Sequence, residues 1–195
     1  MKTVLCMYVT LFPVILTGAC NMIWCKLPFL KSLQKPIDGG RNFRDGKRLF
    51  GANKTWKGFF GYVVLGTVIT LLWGLLCKST AMGNLNYFYS FRANTPGYNA
   101  GVGSLLGLAY AVFELPNSFL KRRFDIAPGR PPEGAKKIFF VFLDQTDSIF
   151  GCVLVLYLFY PMSAAFYFGY VLLGALTHIV VNLILYALKL RKNMF

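Results

Sequence analysis

The sequence predicts an all-α integral membrane protein, a single membrane-embedded domain over residues 1–195. Three observations carry that expectation. Hydrophobic residues make up 56% of the chain and charged residues only 14%, against about a quarter charged in soluble domains. The apolar residues fall into five runs of about 20, the length needed to cross the hydrocarbon of a bilayer. The charges lie between these runs with a one-sided bias. A soluble fold of this length cannot hide so much apolar surface, whereas lipid accepts it on the outside of a helical bundle.

The first run covers about 4–24, interrupted by Pro13, Asn21 and small residues. It is too long for the apolar part of a signal peptide and lacks a convincing cleavage site. The second covers 59–77. The third, 100–120, carries Glu114, Pro116 and Asn117 near its end. The fourth, 138–160, encloses Asp144 and Asp147; Pro161–Ser163 then make a tight connection to the fifth, 164–188.

With the segments at about 25–58 and 121–137 placed in the cytoplasm, all of the 21 Lys and Arg except Lys2, Lys78 and Arg92 lie inside. The expectation is therefore five transmembrane helices, an outer N-terminus, a cytoplasmic C-terminus bearing Lys189, Arg191 and Lys192, and two basic cytoplasmic loops. The outer segment 78–98 is polar, aromatic and nearly uncharged. The net charge of +14 would suggest nucleic acid in a soluble protein. Beside membrane spans it points to lipid headgroups and anionic substrates, with no nucleic acid expected. Cys6, Cys20, Cys25, Cys77 and Cys152 are odd in number and sit in or beside apolar runs, as packing residues do.

All seven carboxylates lie in or beside the half assigned to the cytoplasm. Asp144 is six residues into its span, about 9 Å deep at the helical rise, and Asp147 follows on the same face. Ionisable groups at that depth cost several kcal/mol, so they face a polar cavity with a partner. Two stacked carboxylates make a seat for a hard divalent cation such as Mg²⁺. The alternative is an ion pair with a loop Lys or Arg, a costly way to gain stability alone.

The loop before the fourth span reads Ser118-Phe-Leu-Lys121-Arg122-Arg123-Phe-Asp125-Ile-Ala-Pro128-Gly129. Clustered cations beside carboxylates suit a metal-bound polyphosphate, whose charge must be neutralised from several sides. The first loop interleaves glycines and cations from Asp38-Gly-Gly to Asn53-Lys54-Thr55-Trp-Lys57-Gly58. Such a loop lets amides and ammonium groups approach phosphate. It is not a Walker motif, because Gly46 and Gly51 do not frame Lys54-Thr55 and no strand precedes it. The start of the second span still offers its amides to phosphate. His178, the only histidine, lies deep in the fifth span with Asn182 one turn on, and reads as an interior polar pair. Glu114 and Asn117 read either as core hydrogen bonding or as lining for the cavity of Asp144.

Together, Ser118-x-x-Lys121-Arg122…Asp125…Pro128-Gly129 and Asp144-x-x-Asp147-Ser148 resemble the signature of membrane CTP:phosphatidate cytidylyltransferases, the CDP-diglyceride synthetases. The first loop and the small size resemble the archaeal branch, the CDP-archaeol synthases, over almost the whole chain. Departures are Gln145 where Arg is usual, Phe124 where Lys is usual, Pro131-Pro132 where glycines are usual, and a longer gap before the aspartates. The resemblance implies a multi-pass protein of the cell membrane that transfers CMP from CTP to an isoprenoid ether glycerophosphate, releasing pyrophosphate. It further implies Mg²⁺ on Asp144 and Asp147 with Asp125, and phosphate held by Lys121 and Arg122 near Ser118. From the first loop, Lys54, Thr55 and Lys57 would cradle phosphate, with Asp38 and Asn53 nearby. Other lipid-phosphate enzymes compete with this reading. A CDP-alcohol phosphotransferase would need aspartates absent here, and a glycerophosphate acyltransferase suits the glycine-rich loop only superficially. A small transporter is the rival from another class, but no inverted repeat is visible.

Overall fold

Five long helices organise the computed structural model, which describes residues 2–130 and 133–189. They are α1 (Lys2–Lys26), α2 (Trp56–Ser79), α3 (Pro96–Arg123), α4 (Lys137–Phe159) and α5 (Ala164–Ala187). No strand occurs among the described residues. Pro131-Pro132 and the tail cations Arg191 and Lys192 lie outside them. Each helix overlaps one apolar run of the sequence, and α1 to α3 extend past theirs by several residues. Backbone hydrogen bonding continues into the polar interface, where Lys26 and Lys78 can keep their charged ends in water.

By length and composition, α1, α2, α4 and α5 are each apolar enough to cross a membrane. The remaining helix, α3, is the longest at 28 residues and the most polar, because it carries Glu114, Asn117, Ser118, Lys121 and Arg122. It is also central, packed against α2 on one side and α4 on the other. The outer surface is greasy: Leu72, Leu158, Phe168 and Ile138 are all more than half exposed. Water would not tolerate this pattern, but lipid does.

The interior core joins α1, α3, α4 and α5 through Leu11, Val14, Leu106, Cys152, Val153, Leu156 and Tyr170. All five cysteines are free thiols, with Cys6, Cys77 and Cys152 buried. Against α2, α3 approaches backbone to backbone. A Cβ at Gly103 would sit 2.5 Å from the Gly66 carbonyl oxygen, and one at Gly107 would overlap the backbone of Tyr62 and Val63. Gly103 and Gly107 are four residues apart, the small-xxx-small spacing that allows close helix contact in lipid. Thr67 and Ser104 add a hydroxyl pair at 2.8 Å across this interface.

Helix ends are closed locally. Thr55, Thr95 and Ser163 cap α2, α3 and α5, accepting from the amides of Gly58 (3.2 Å), Tyr98 (3.3 Å) and Phe166 (3.2 Å), as Ser and Thr do at helix starts. Lys57 closes the end of α1, its ammonium reaching Cys25 O at 3.5 Å and, one residue past the helix, Leu27 O at 2.5 Å. Trp24 and Asn21 donate to the carbonyls of Lys57 and Gly58 in return. The foot of α1 is thereby stitched to the head of α2.

Candidate active site

A stripe on α3 generates the site. Glu114, Asn117, Ser118, Lys121 and Arg122 recur at helical spacing and face the same side. Opposite them, α4 presents Asp144 and Asp147, three residues apart. Asn117 Nδ2 lies 2.7 Å from Asp144 Oδ1 and 2.7 Å from Asp147 Oδ2, so one amide draws the two carboxylates together. Lys121 Nζ is 2.5 Å from each oxygen of Asp144. The amide of Ser148 holds the other oxygen of Asp147 at 2.6 Å.

These groups border a cavity of about 590 Å³ that reaches all the way from α1 to α5. Its cations are Lys54, Lys121, Arg122 and Arg130, and its carboxylates are Glu114, Asp144 and Asp147. Val14, Ile15 and Met22 of α1 and Val181 and Leu185 of α5 give it an apolar flank. Lys54 pairs with Glu114, which also accepts from Tyr62 Oη at 3.1 Å. Burial works against the Lys54 ammonium, yet the charge and hydrogen bond of Glu114, with help from Asp147 and Asp144, raise its pKa and keep it protonated. Arg122 differs. It is 8% exposed, and its Nε is buried with no hydrogen-bond partner.

The first loop is held over this cavity by side chains whose charges are consumed in the process. Asp38 accepts from Arg48 Nε (3.0 Å) and Nη2 (2.9 Å) and from the amides of Gly40 (2.9 Å) and Phe50 (3.0 Å). The Arg48 guanidinium and those amides, outweighing partial burial, lower its pKa to about 2. Arg123 pairs with Asp45 at 2.8 Å and lies over the ring of Phe119 at 4.4 Å. Lys47 reaches Asp125 at 2.7 Å and the Arg123 carbonyl at 3.0 Å. The amide of Gly51 donates to Ser118 Oγ at 2.9 Å, locking the loop onto α3.

The sequence-derived candidates therefore separate. Asp144, Asp147, Lys121, Arg122, Ser118, Asn53, Lys54 and Thr55 come together at the cavity. Thr55 Oγ1 meanwhile serves as a helix cap. Three candidates stand apart from the lining. Asp38 is enclosed by the loop it folds. Lys57 is 1% exposed and turned to α1, with the ring of Phe29 4.8 Å from its ammonium. Asp125 adopts a left-handed backbone (φ 58°), its side chain is 77% exposed, and its pKa is lowered by the hydrogen bond from Lys47. The third carboxylate of the cavity lining is Glu114 and not Asp125.

Arg130, which the sequence offers only as one of the inside cations, and Tyr62 also line the cavity. Arg130 could have been found as the cation directly after the Pro128-Gly129 turn; nothing marks Tyr62 beforehand. His178 and Asn182 lie on the cavity wall too, and both meet Gln145. Asn182 Nδ2 donates to Gln145 Oε1 at 2.9 Å, and His178 Nδ1 is 3.4 Å from the Gln145 carbonyl. Gln145, the departure from the usual Arg, is thus a buried partner of α5.

Residues 7–195 match the family model described as CarS-like CDP-archaeol synthase. The CDP-archaeol synthase of Methanococcus aeolicus is 33% identical over 157 residues, which is 80% of either chain. That of Thermococcus onnurineus is 38% identical over 120 residues, 58% of this chain and 60% of its own. That of Thermofilum pendens is 28% identical over 180 residues, 92% of this chain and 75% of its own. Among solved structures, one described as "Structural insight into an intramembrane enzyme for archaeal membrane lipids biosynthesis" superposes with a TM-score of 0.58. It covers 90% of this chain and 92% of that one at 23% identity, a likeness of fold.

Proposed function

The chain belongs to the CarS-like CDP-archaeol synthase family, and from that membership we propose that it transfers CMP from CTP to an isoprenoid ether glycerophosphate, unsaturated archaetidic acid. The products are CDP-archaeol and pyrophosphate. Family membership sets aside the transporter and acyltransferase readings. In the step proposed, an oxygen of the lipid phosphate attacks the α-phosphorus of CTP in line. A new P–O bond forms there, the bond from the α-phosphorus to the bridging oxygen breaks, and pyrophosphate leaves with that electron pair. A phosphate monoester is anionic near neutral pH, so no strong general base is required, and catalysis is mostly positioning and charge neutralisation.

The observation that carries this reading is the composition of one cavity: four cations around two converging carboxylates, beside an apolar flank. A buried guanidinium nitrogen with no partner, as at Arg122, is costly unless an anion completes it. Arg122 and Arg130 would hold the triphosphate or the lipid phosphate. Asn53, Thr55 and Ser118 supply neutral polar contacts along the same wall. The apolar faces of α1 and α5 suit the lipid side of the acceptor.

Asp144 and Asp147 offer hard carboxylate oxygens that converge on the Asn117 amide, and with Lys121 and Asn117 turned aside they would hold a magnesium ion. When bound there, Mg²⁺ would neutralise charge on the transferring phosphates. The loops, and with them the site, would face the cytoplasm of the cell membrane, where CTP is available.

The test is incorporation of labelled CTP into lipid by purified protein with Mg²⁺, offering ether-linked and ester-linked acceptors separately. Magnesium-dependent CDP-lipid from the ether substrate is expected. Asp144→Asn and Asp147→Asn should each reduce turnover by at least about 100-fold. Absence of product from every lipid phosphate, with folded protein and intact CTP, overturns the reading.

A further inference from the structure

Lys121 occupies an unusual position for a residue expected to hold phosphate. Its ammonium straddles the Asp144 carboxylate, 2.5 Å from each oxygen, in the chelating position that a metal cation would also favour. The pair is well enclosed, with side-chain exposures of 17% and 21%. A carboxylate offers about four lone-pair positions. Lys121 engages both oxygens of Asp144, and Asn117 takes a further position on Oδ1. Little of Asp144 is left for a divalent ion, and two cations so close repel each other strongly in a partly buried site.

We propose that Lys121 is an exchangeable counter-ion. It neutralises Asp144 until a nucleotide-bound divalent cation displaces it, and it then turns to the phosphates that arrive with that cation. Lys121 is suited to such a change. It lies in the last turn of α3, and a lysine is a point charge on a flexible four-carbon stem without the fixed fork of an arginine. Arg122 and Arg130, on the same cavity wall, draw the anion to where the released ammonium can reach it. Metal and nucleotide should consequently bind with positive coupling, each favouring the other. The inference rests on the metal role given above to Asp144 and Asp147.

The experiment is Mn²⁺ binding to purified protein, followed by electron paramagnetic resonance with and without CTP, in the absence of acceptor lipid. Lys121→Met should bind Mn²⁺ at least about fivefold more tightly than the unmodified protein when CTP is absent, the low end of usual couplings between two competing groups. Its gain in Mn²⁺ affinity on adding CTP should be smaller. Lys121→Gln, which retains a neutral donor to Asp144, should shift in the same direction and serves if the Met variant fails to fold. Arg122→Met removes a cation from the same cavity without touching Asp144.

Unchanged or weaker Mn²⁺ binding in both Lys121 variants overturns the exchange. So does an equal tightening in Arg122→Met, because the effect would then be general charge removal. If the unmodified protein shows no Mn²⁺ site sensitive to Asp144→Asn, the metal assignment itself fails. That outcome is distinct from an Asp144-dependent site that ignores Lys121.

Discussion

Asp38, Lys57 and Arg122 are all buried charges, yet they do different work. Asp38 has every acceptor position directed at its own loop, and Lys57 is turned to the carbonyls that end α1. Arg122 faces the cavity with a nitrogen left over. The difference is one of partners and cannot be seen in residue type. For Asp38 the consequence is a pH dependence. Its carboxyl is held at about 2, against an ordinary 3.8. A folded-state value below the unfolded one contributes stability that is complete above the unfolded value and lost as pH falls through the folded one. Hydrogen-exchange protection at Gly40 and Phe50 should be full above about pH 4 and fall toward about pH 2. Asp38→Asn should show low protection throughout that window. Protection in the variant equal to that of the unmodified chain would mean that the carboxylate does not hold the loop.

Among the elements, the α2–α3 contact decides where the site lies. The stripe from Glu114 to Arg122 meets the first loop only because α3 lies close enough to α2 for Lys54 to reach Glu114 and for Gly51 to reach Ser118. Close approach depends on Gly66, Gly103 and Gly107. Gly107→Leu should destabilise the protein by about 1–3 kcal/mol, the usual cost of overpacking, measured by thermal unfolding in detergent. Gly101→Leu, on the same helix with open space around the added Cβ, should stay within about 0.5 kcal/mol. Equal effects at the two positions would show that leucine in this helix is the problem and that the contact is not. α3 can be so polar because α2, α4 and the loops cover its charged stripe, while Leu105, Leu108 and Val112 on its other face stay exposed and apolar.

For the whole molecule the question is orientation. The charge bias argues for both basic loops inside, and the proposed site would meet its nucleotide only in that orientation. In a cysteine-free background, Arg92→Cys should react with a membrane-impermeant maleimide on intact cells, and Arg44→Cys should react only after the membrane is opened. Both positions are exposed, so access depends on the side of the membrane alone. The reverse pattern would invert the topology and remove the cavity from cytoplasmic CTP.

Sequence alone determined the helical membrane class, the position of the apolar runs, and the gathering of cations and carboxylates toward one end. These follow from local quantities, since hydrophobic length, helical period and charge bias need no partner. The pairing of Asp144 and Asp147 on one face was legible for the same reason, as both lie on one helix. Tertiary structure alone decided which charges are consumed and which remain for a ligand. Asp38, Lys57 and Asp125 stood in motifs indistinguishable from those of Lys54, Arg122 and Asp144, and they were diverted to a loop, a helix end and the surface. It also brought Glu114, Arg130 and His178 to the cavity wall, and it set Lys121 on Asp144. A hydrogen bond acts over about 3 Å, so the role of each charge depends on which neighbour the packed helices bring within that distance.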